Sequence, residues 1–180
     1  EMLTEYIDNR KVFYFNTGKN MGGSYGFSFG SKKAVEMGCD YVWLMDDDCI
    51  VKKDSLSKLV LFAQKKEDEF GYLSSKVLWK DESMCYMNIP KSDIAKRIKD
   101  YDRDQRICIA SFVSCFIKEK VIEEVGLSMA DFFIWGDDWE YTYRISKKHP
   151  SYYVSDSVVV HKSKTNTGVN IVSAPDDLLP

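Results

Sequence analysis

Three consecutive aspartates, Asp46, Asp47 and Asp48, follow the apolar run Tyr41-Val-Trp-Leu-Met45. Neighbouring carboxylates repel one another, so such a cluster is stable where a cation offsets its charge. Carboxylate oxygens are hard ligands suited to Mg²⁺ or Mn²⁺, and alternate members of the triplet, Asp46 and Asp48, can face one ion from an extended turn. A second acidic group, Trp135-Gly-Asp-Asp-Trp-Glu140, sets Asp137, Asp138 and Glu140 among two indoles, Trp135 and Trp139. A carboxylate among carboxylates has a raised pKa and is a better proton acceptor. Indole faces are platforms for sugar rings, and Gly136 lets the backbone turn sharply towards a ligand. His161 closes the β-prone Val158-Val-Val160 and adds a metal-ligand type at a strand end.

Each group also has a plainer explanation. The triplet fits a solvated acidic turn or the acidic approach to a helix, and Glu140 with Arg144 has the spacing of a helical ion pair. A histidine after a strand is often ordinary surface, as His149 before Pro150 is expected to be. The Asn20-Met-Gly-Gly-Ser-Tyr-Gly26 stretch fits neither the dinucleotide fingerprint nor the P-loop. A glycine-rich loop entering a helix can still present backbone N–H groups to phosphate or ribose.

Elements must hold these groups in place. Val12–Phe15 is β-prone, Ser28–Met37 has helical periodicity with Gly38 as its stop, and Tyr41–Met45 is a second apolar strand. That order predicts a βαβ unit with a parallel pair, and the apolar character of Tyr41–Met45 on both faces predicts an interior strand. The triplet would then sit at the carboxyl edge of an open α/β sheet, where such folds bind ligands. Asp54 is placed to cap a helix to about Lys66, with Leu56, Leu59, Val60 and Ala63 on one face. Gly71–Trp79 is read as a strand, 80–106 as a polar excursion with a short helix at Ile94–Lys99, and Ile107–Ile117 as strongly β-prone. A short helix Glu119–Val125 stopped by Gly126, a helix from the Gly136 region to Lys147, and a final strand Tyr152–Val160 complete the series. No internal repeat or low-complexity segment is present.

Composition bounds the class. The 180 residues, 44% hydrophobic and 14% aromatic, are those of one globular domain with a proper core. A net charge of −3 offers no global attraction to nucleic acid or to an anionic membrane. The five cysteines are an odd number without a CxxC pair, which favours reduced, cytoplasmic thiols over a disulfide framework or zinc site. No stretch reaches the ~20 apolar residues needed to cross a bilayer. The chain opens at Glu1 without an initiator Met and runs straight into a helix end and a strand, so a larger parent protein is expected.

Taken in order, Asn20-x-Gly-Gly, the strand ending in an Asp triplet, Gly-Asp-Asp-x-Glu and the late His resemble the family-2 inverting glycosyltransferases of the GT-A fold. The full triplet, the tryptophan before the paired aspartates and the late histidine most resemble the bacterial galactofuranosyltransferase branch, with rhamnosyltransferases next. The resemblance spans about Val12 to Lys162. It implies an α/β GT-A (Rossmann-like) mixed sheet flanked by helices, with the first, nucleoside-binding unit of the fold missing from this chain. It implies a catalytic domain over 1–165, partial at its N-terminus, and a tail or further segment over 166–180.

By the same resemblance Asp46, Asp48 and His161 would hold Mn²⁺ or Mg²⁺, and Asp47 would lie near the donor ribose or sugar. Asn20, Gly22 and Gly23 would line the donor pocket together with Asp46. Asp138 would be the catalytic base, with Asp137 beside it, and Trp135, Asp137, Trp139 and Glu140 would shape the acceptor site. The implied partners are a nucleotide-sugar donor, UDP-galactofuranose first and dTDP-rhamnose second, and a glycan or lipid-linked glycan acceptor at the inner face of the plasma membrane. Two other classes stay open: a nucleotidyltransferase, which would need neither His161 nor the tryptophans, and a non-enzymatic sugar-binding module, which would leave the Asp triplet without a purpose.

Overall fold

A computed structural model describes residues 4–167. The helices are α1 (Thr4–Asp8), α2 (Gly22–Glu36), α3 (Ser55–Lys65), α4 (Glu119–Val125) and α5 (Asp137–Lys148). The strands are β1 (Tyr41–Leu44), β2 (Cys49–Val51), β3 (Tyr72–Trp79), β4 (Lys91–Asp93), β5 (Lys96–Arg97), β6 (Gln105–Ile107), β7 (Cys115–Lys118) and β8 (Ser151–His161). The main sheet has the order β1-β7-β3-β8-β2, with β6 also on β8, and a small hairpin pairs β4 with β5. Only β3 and β8 run parallel; the other pairs are antiparallel, so the sheet is mixed and unclosed.

Alternation at period two sends side chains to two cores. On one face Val42, Leu44, Tyr72 and Ile117 pack with Val121 and Ile122 of α4 and with Tyr141 and Ile145 of α5, against Phe27 and Val35 of α2. On the other, Leu73, Phe116 and Val154 pack with Leu59, Phe62 and Ala63 of α3, against Tyr41 and Trp43. Between them runs a line of buried hydroxyls. The Trp43 indole donates to Ser114 (3.0 Å), Ser114 to Ser75 (2.8 Å), and Ser75 and Ser157 bond at 2.7 Å.

Several expectations are corrected by this arrangement. β1 is apolar on both faces because helices cover both sides of the sheet, yet it is an edge strand paired antiparallel with β7. Val12–Phe15 forms no strand, with Phe13, Tyr14 and Phe15 exposed, so no βαβ unit precedes the triplet among the described residues. The helix expected from Ser28 begins already at Gly22 and absorbs most of the glycine-rich loop. Asp54 stands at the N-cap position of α3 but makes no capping bond through its side chain, and Leu56 is exposed while Phe62 is buried.

The helix expected over Ile94–Lys99 is instead the β4–β5 hairpin. Its ends are held by backbone bonds, Lys91 N–H to Ile109 O (2.8 Å) and Ile98 N–H to Pro90 O (3.0 Å), and Ile98 alone inserts into the core. The β-prone Ile107–Ile117 run breaks at a 3₁₀ turn, Phe112–Ser114, between β6 and β7. Beyond Thr167 the expected tail lies outside the described residues. No helix among the described residues is long and apolar enough to cross a membrane.

Candidate active site

β2 pairs with the end of β8 so that Cys49 stands opposite His161, and the Lys162 N–H donates to Asp48 O (2.9 Å). That register is what brings the triplet and the late histidine together, although their sequence separation is large. A tight turn, closed by the Cys49 N–H to Asp46 O (3.2 Å), swings Asp46 and Asp48 to the same side. His161 Nε2 lies 3.1 Å from Asp48 Oδ1 and 3.7 Å from Asp46 Oδ2. One ligand atom from each of the three residues falls within 4.8 Å of the others. Asp47 is exposed at the tip of the turn.

The histidine is buried and aimed. Its Nδ1 lies 2.8 Å from Asn88 Oδ1, an acceptor, so Nδ1–H donates there while Nε2 faces the two carboxylates. Asn88 is itself oriented, donating through Nδ2 to Ser111 Oγ (2.9 Å) and accepting from the Cys85 thiol (3.0 Å). An imidazole facing two carboxylates, with an outer partner that orients the ring, is a donor set suited to a divalent cation. Burial pushes the Asp46 carboxyl above its ordinary pKa, His161 draws it down, and Asp48, Asp47 and Asp137 push it up again. The residues therefore fit such an ion.

Across from this wall, α5 starts with Asp137 and Asp138. The backbone entering it is contorted: Phe133 (φ +61°), Trp135 (φ +64°) and Gly136 (φ +92°) all lie in the left-handed region. Non-glycine residues held there store strain and cluster at functional sites. Asp138 has the pKa pushed up to about 7, by burial first and then by Asp137, with Asp46 adding to the rise. Its Oδ1 accepts the Trp139 N–H at 2.8 Å. Asp137 is buried and also raised by burial. The Ser24 hydroxyl opposes that rise but stops short of a hydrogen bond, leaving Ser24 Oγ and Asp137 Oδ2 both buried without a partner.

The glycine-rich stretch belongs to this second wall. Asn20 Oδ1 accepts the Gly22 N–H (2.9 Å), and the Ser24 N–H donates to Phe133 O (3.1 Å). Gly22 has φ +80°, and a Cβ there would meet Phe133 O at 2.3 Å, so only glycine lets α2 approach the strained segment. Around Gly23 the corresponding space is open.

The remaining members of the acidic group diverge. Glu140 forms a bidentate pair with Arg144 (2.6 and 2.9 Å), whose other N–H groups donate to Val125 O (2.7 Å) and Leu127 O (3.0 Å). This ion pair ties α5 to the turn after α4, as its helical spacing allowed. Trp135 is half-buried, and Trp139 is 49% exposed, with the Lys91 ammonium 3.6 Å from its ring centre. Sequence reasoning missed Asn88, Ser24 and Lys91. For Asn88 the signal was a polar residue between the apolar Met87 and Ile89-Pro90; Ser24 and Lys91 had none.

Asp46, Asp48 and His161 thus form a group that could hold a divalent cation, and the Asp138 carboxyl, at the start of α5, is raised to about 7. The crystal structure of GalNAc-T7 with UDP, GalNAc and Mn²⁺ superposes with a TM-score of 0.68 at 20% identity, over 91% of this chain and 35% of that one. The crystal structure of A197 from STIV superposes with a TM-score of 0.54 at 12% identity, over 93% of this chain and 90% of that one. The present chain thus spans about a third of the length of GalNAc-T7. Among curated protein sequences no match was found. Residues 17–172 match the family described as glycosyltransferase like family 2, and with most of its length matched the chain belongs to that family.

Proposed function

We propose that this protein is a metal-dependent, inverting glycosyltransferase that moves a sugar from a nucleotide diphosphate donor to a hydroxyl of a glycan. The observation that carries this reading is the meeting of Asp46, Asp48 and His161 on one point, with Asp138 raised to about 7 on the facing helix start. Asp46, Asp48 and His161 would hold Mn²⁺ or Mg²⁺. The ion, when bound, offsets charge on the departing nucleoside diphosphate. Asp138 takes the proton of the acceptor hydroxyl as its oxygen bonds to the anomeric carbon. The bond from that carbon to the diphosphate oxygen breaks on the opposite side, and its electron pair leaves with the nucleoside diphosphate.

Asp47 lines the donor side in this proposal, and Asn20, Gly22 and Gly23 reach the donor from the second wall, where Gly22 packs on Phe133. Trp135, Asp137 and Trp139 shape the acceptor side, while Glu140 acts on it through Arg144 by holding α5 in place. The donor is UDP-galactofuranose and the acceptor a bacterial surface glycan, free or lipid-linked, met at the inner face of the plasma membrane. The resemblance of the Asp triplet, Trp135 and His161 to the galactofuranosyltransferase branch is what favours galactofuranose, and the UDP and Mn²⁺ held by GalNAc-T7 favour a UDP-sugar with manganese.

The test is to incubate the complete protein with Mn²⁺ and a set of UDP- and dTDP-sugars and to follow release of the nucleoside diphosphate. Release is expected with UDP-galactofuranose, to be abolished by Asp48→Ala and cut by about 10²-fold or more by Asp138→Asn. Turnover that survives both changes would overturn the assignment.

A further inference from the structure

Beside the base lies a second, differently charged recess. It is lined by Asn88, Lys91, Arg97, Ile109, Ser111 and Trp139, among others, and no carboxylate lines it. The β4–β5 hairpin supplies both cations: Lys91 begins β4 and Arg97 ends β5. Among the described residues neither has a carboxylate within 4.0 Å. The Lys91 ammonium lies over the Trp139 indole at 3.6 Å from the ring centre and donates to Ile94 O (3.2 Å). Trp139 is joined in turn to the base, since its N–H donates to Asp138 Oδ1 at 2.8 Å. Asn88 on the recess wall is the residue that orients His161. The recess therefore touches both halves of the site already described.

Two cations brought together without an anion are unfavourable. Burial first and then the Arg97 charge lower the Lys91 pKa. A chain of net charge −3 has carboxylates to spare, yet none is set here. The guanidinium of Arg97 offers a planar fork that fits a carboxylate or phosphate edge, and Lys91 adds a point charge whose position the indole sets.

The recess itself has room for little more than a water molecule, about 10 Å³, and Arg97 is exposed at its rim. We propose that an anionic group, phosphate or carboxylate, of the acceptor binds at its mouth, with Lys91 and Arg97 as its contacts, a reading of the ligand as acceptor that rests on the transferase proposal. The carboxyl groups of Asp137 and Asp138, at the start of α5, would repel the same group. A sugar with one charged end is thereby oriented so that a neutral hydroxyl, not the anion, faces Asp138.

The test titrates the complete protein, without donor or metal, with three probes: a hexose 1-phosphate, a methyl hexuronide and a neutral methyl hexoside. Binding is followed by NMR at the Trp139 indole N–H. One or both charged probes are expected to bind at least about tenfold tighter than the neutral one. K91Q and R97Q should each reduce that preference, the double variant should bring it to about one, and Lys91→Arg should keep it. Each variant must keep the dispersed Trp139 indole N–H resonance and the wild-type affinity for the neutral probe, which separates loss of the two cations from a general loss of folding.

Preference for the phosphate alone assigns a phosphorylated or lipid-diphosphate acceptor; preference for the uronide alone assigns an acidic sugar. Equal binding of charged and neutral probes by the wild type, or a preference that survives the double variant, overturns the proposal. The titration needs no donor cleavage, so its failure is separate from failure of the transferase reading.

Discussion

The two walls of the site are built in contrasting ways. The cation wall hangs on regular structure: β2 and β8 set the spacing of Asp48 and His161 by backbone ladder bonds, and His161 has its outer partner in Asn88. The base wall hangs on irregular backbone, three residues with left-handed φ between a 3₁₀ turn and α5, and it keeps two buried oxygens without partners. An ion gathers its own ligands and rewards a rigid, satisfied frame. A carboxyl proposed to accept a proton needs its pKa held up, and at Asp138 burial and the neighbouring Asp137 do so. Satisfaction on one side and frustration on the other are two routes to two chemical tasks.

That contrast can be broken from either side. The largest effect is expected from His161→Ala, which removes an ion ligand while leaving its carboxylates in place. Metal-dependent donor cleavage should fall by about 10³-fold, equivalent to several kcal/mol of lost charge stabilisation. Retained cleavage at saturating Mn²⁺ would show that the carboxylates suffice. Next, Asn88→Ala should leave the ion bound but loosely held, weakening Mn²⁺ affinity by about 10–100-fold in a calorimetric titration. An unchanged affinity would mean that the histidine needs no outer partner.

On the base wall, Gly22→Ala places a methyl against the Phe133 carbonyl at positive φ. It should cost about 1–3 kcal/mol in denaturant unfolding. The cation wall should not feel it, so Mn²⁺ affinity serves as the internal comparison.

The smallest effect sharpens the contrast by relaxing it. Asp138 has a native pKa raised to about 7, above the ~3.9 of an unfolded chain. Its contribution is therefore fully present below about pH 4 and is lost as pH rises through about 7. Asp138→Asn escapes that loss, so above pH 7 its Tm should exceed the wild-type Tm by roughly 2–4 °C for about 1 kcal/mol, and the gap should close by pH 4. Activity runs the other way: the base must be ionised, so the wild-type rate should climb roughly tenfold per pH unit below about 7 and level off above it.

Much of this was readable from the residues because their types carry the chemistry. The Asp triplet and His161 are residue types that can ligate a cation, and the strands that deliver them are apolar enough to identify. What was not readable depends on tertiary partners. Val12–Phe15 has strand propensity, yet propensity becomes a strand only when a neighbour pairs with it. Ile94–Lys99 has helical character but is held as a hairpin by backbone bonds to Pro90 and Ile109. β1 was mistaken for an interior strand because burial on both faces and a place in the sheet's middle leave the same mark in the residues. Asn88 and Ser24 act from irregular or helix-start positions, where no periodicity marks a side chain's direction.

The irregularity in β8 has a consequence for how this chain tolerates change in length. Against β3, the ladder steps from Ser75–Val154 directly to Lys76–Val158, so Ser155, Asp156 and Ser157 are extra residues looped out of the pairing. Because a strand alternates sides, the parity of the four residues from Val158 to His161 decides which face receives the imidazole. Losing one residue between Val158 and Val160 would turn His161 to the opposite face while the sheet itself survived. Losing one from 155–157 would shorten the bulge and leave that parity unchanged, at the expense of the bonds from Ser155 to Asp104 and from the buried Ser157 to Ser75 and the Ser55 carbonyl. The loop is an expansion joint, and the three valines after it are a count that cannot change by one.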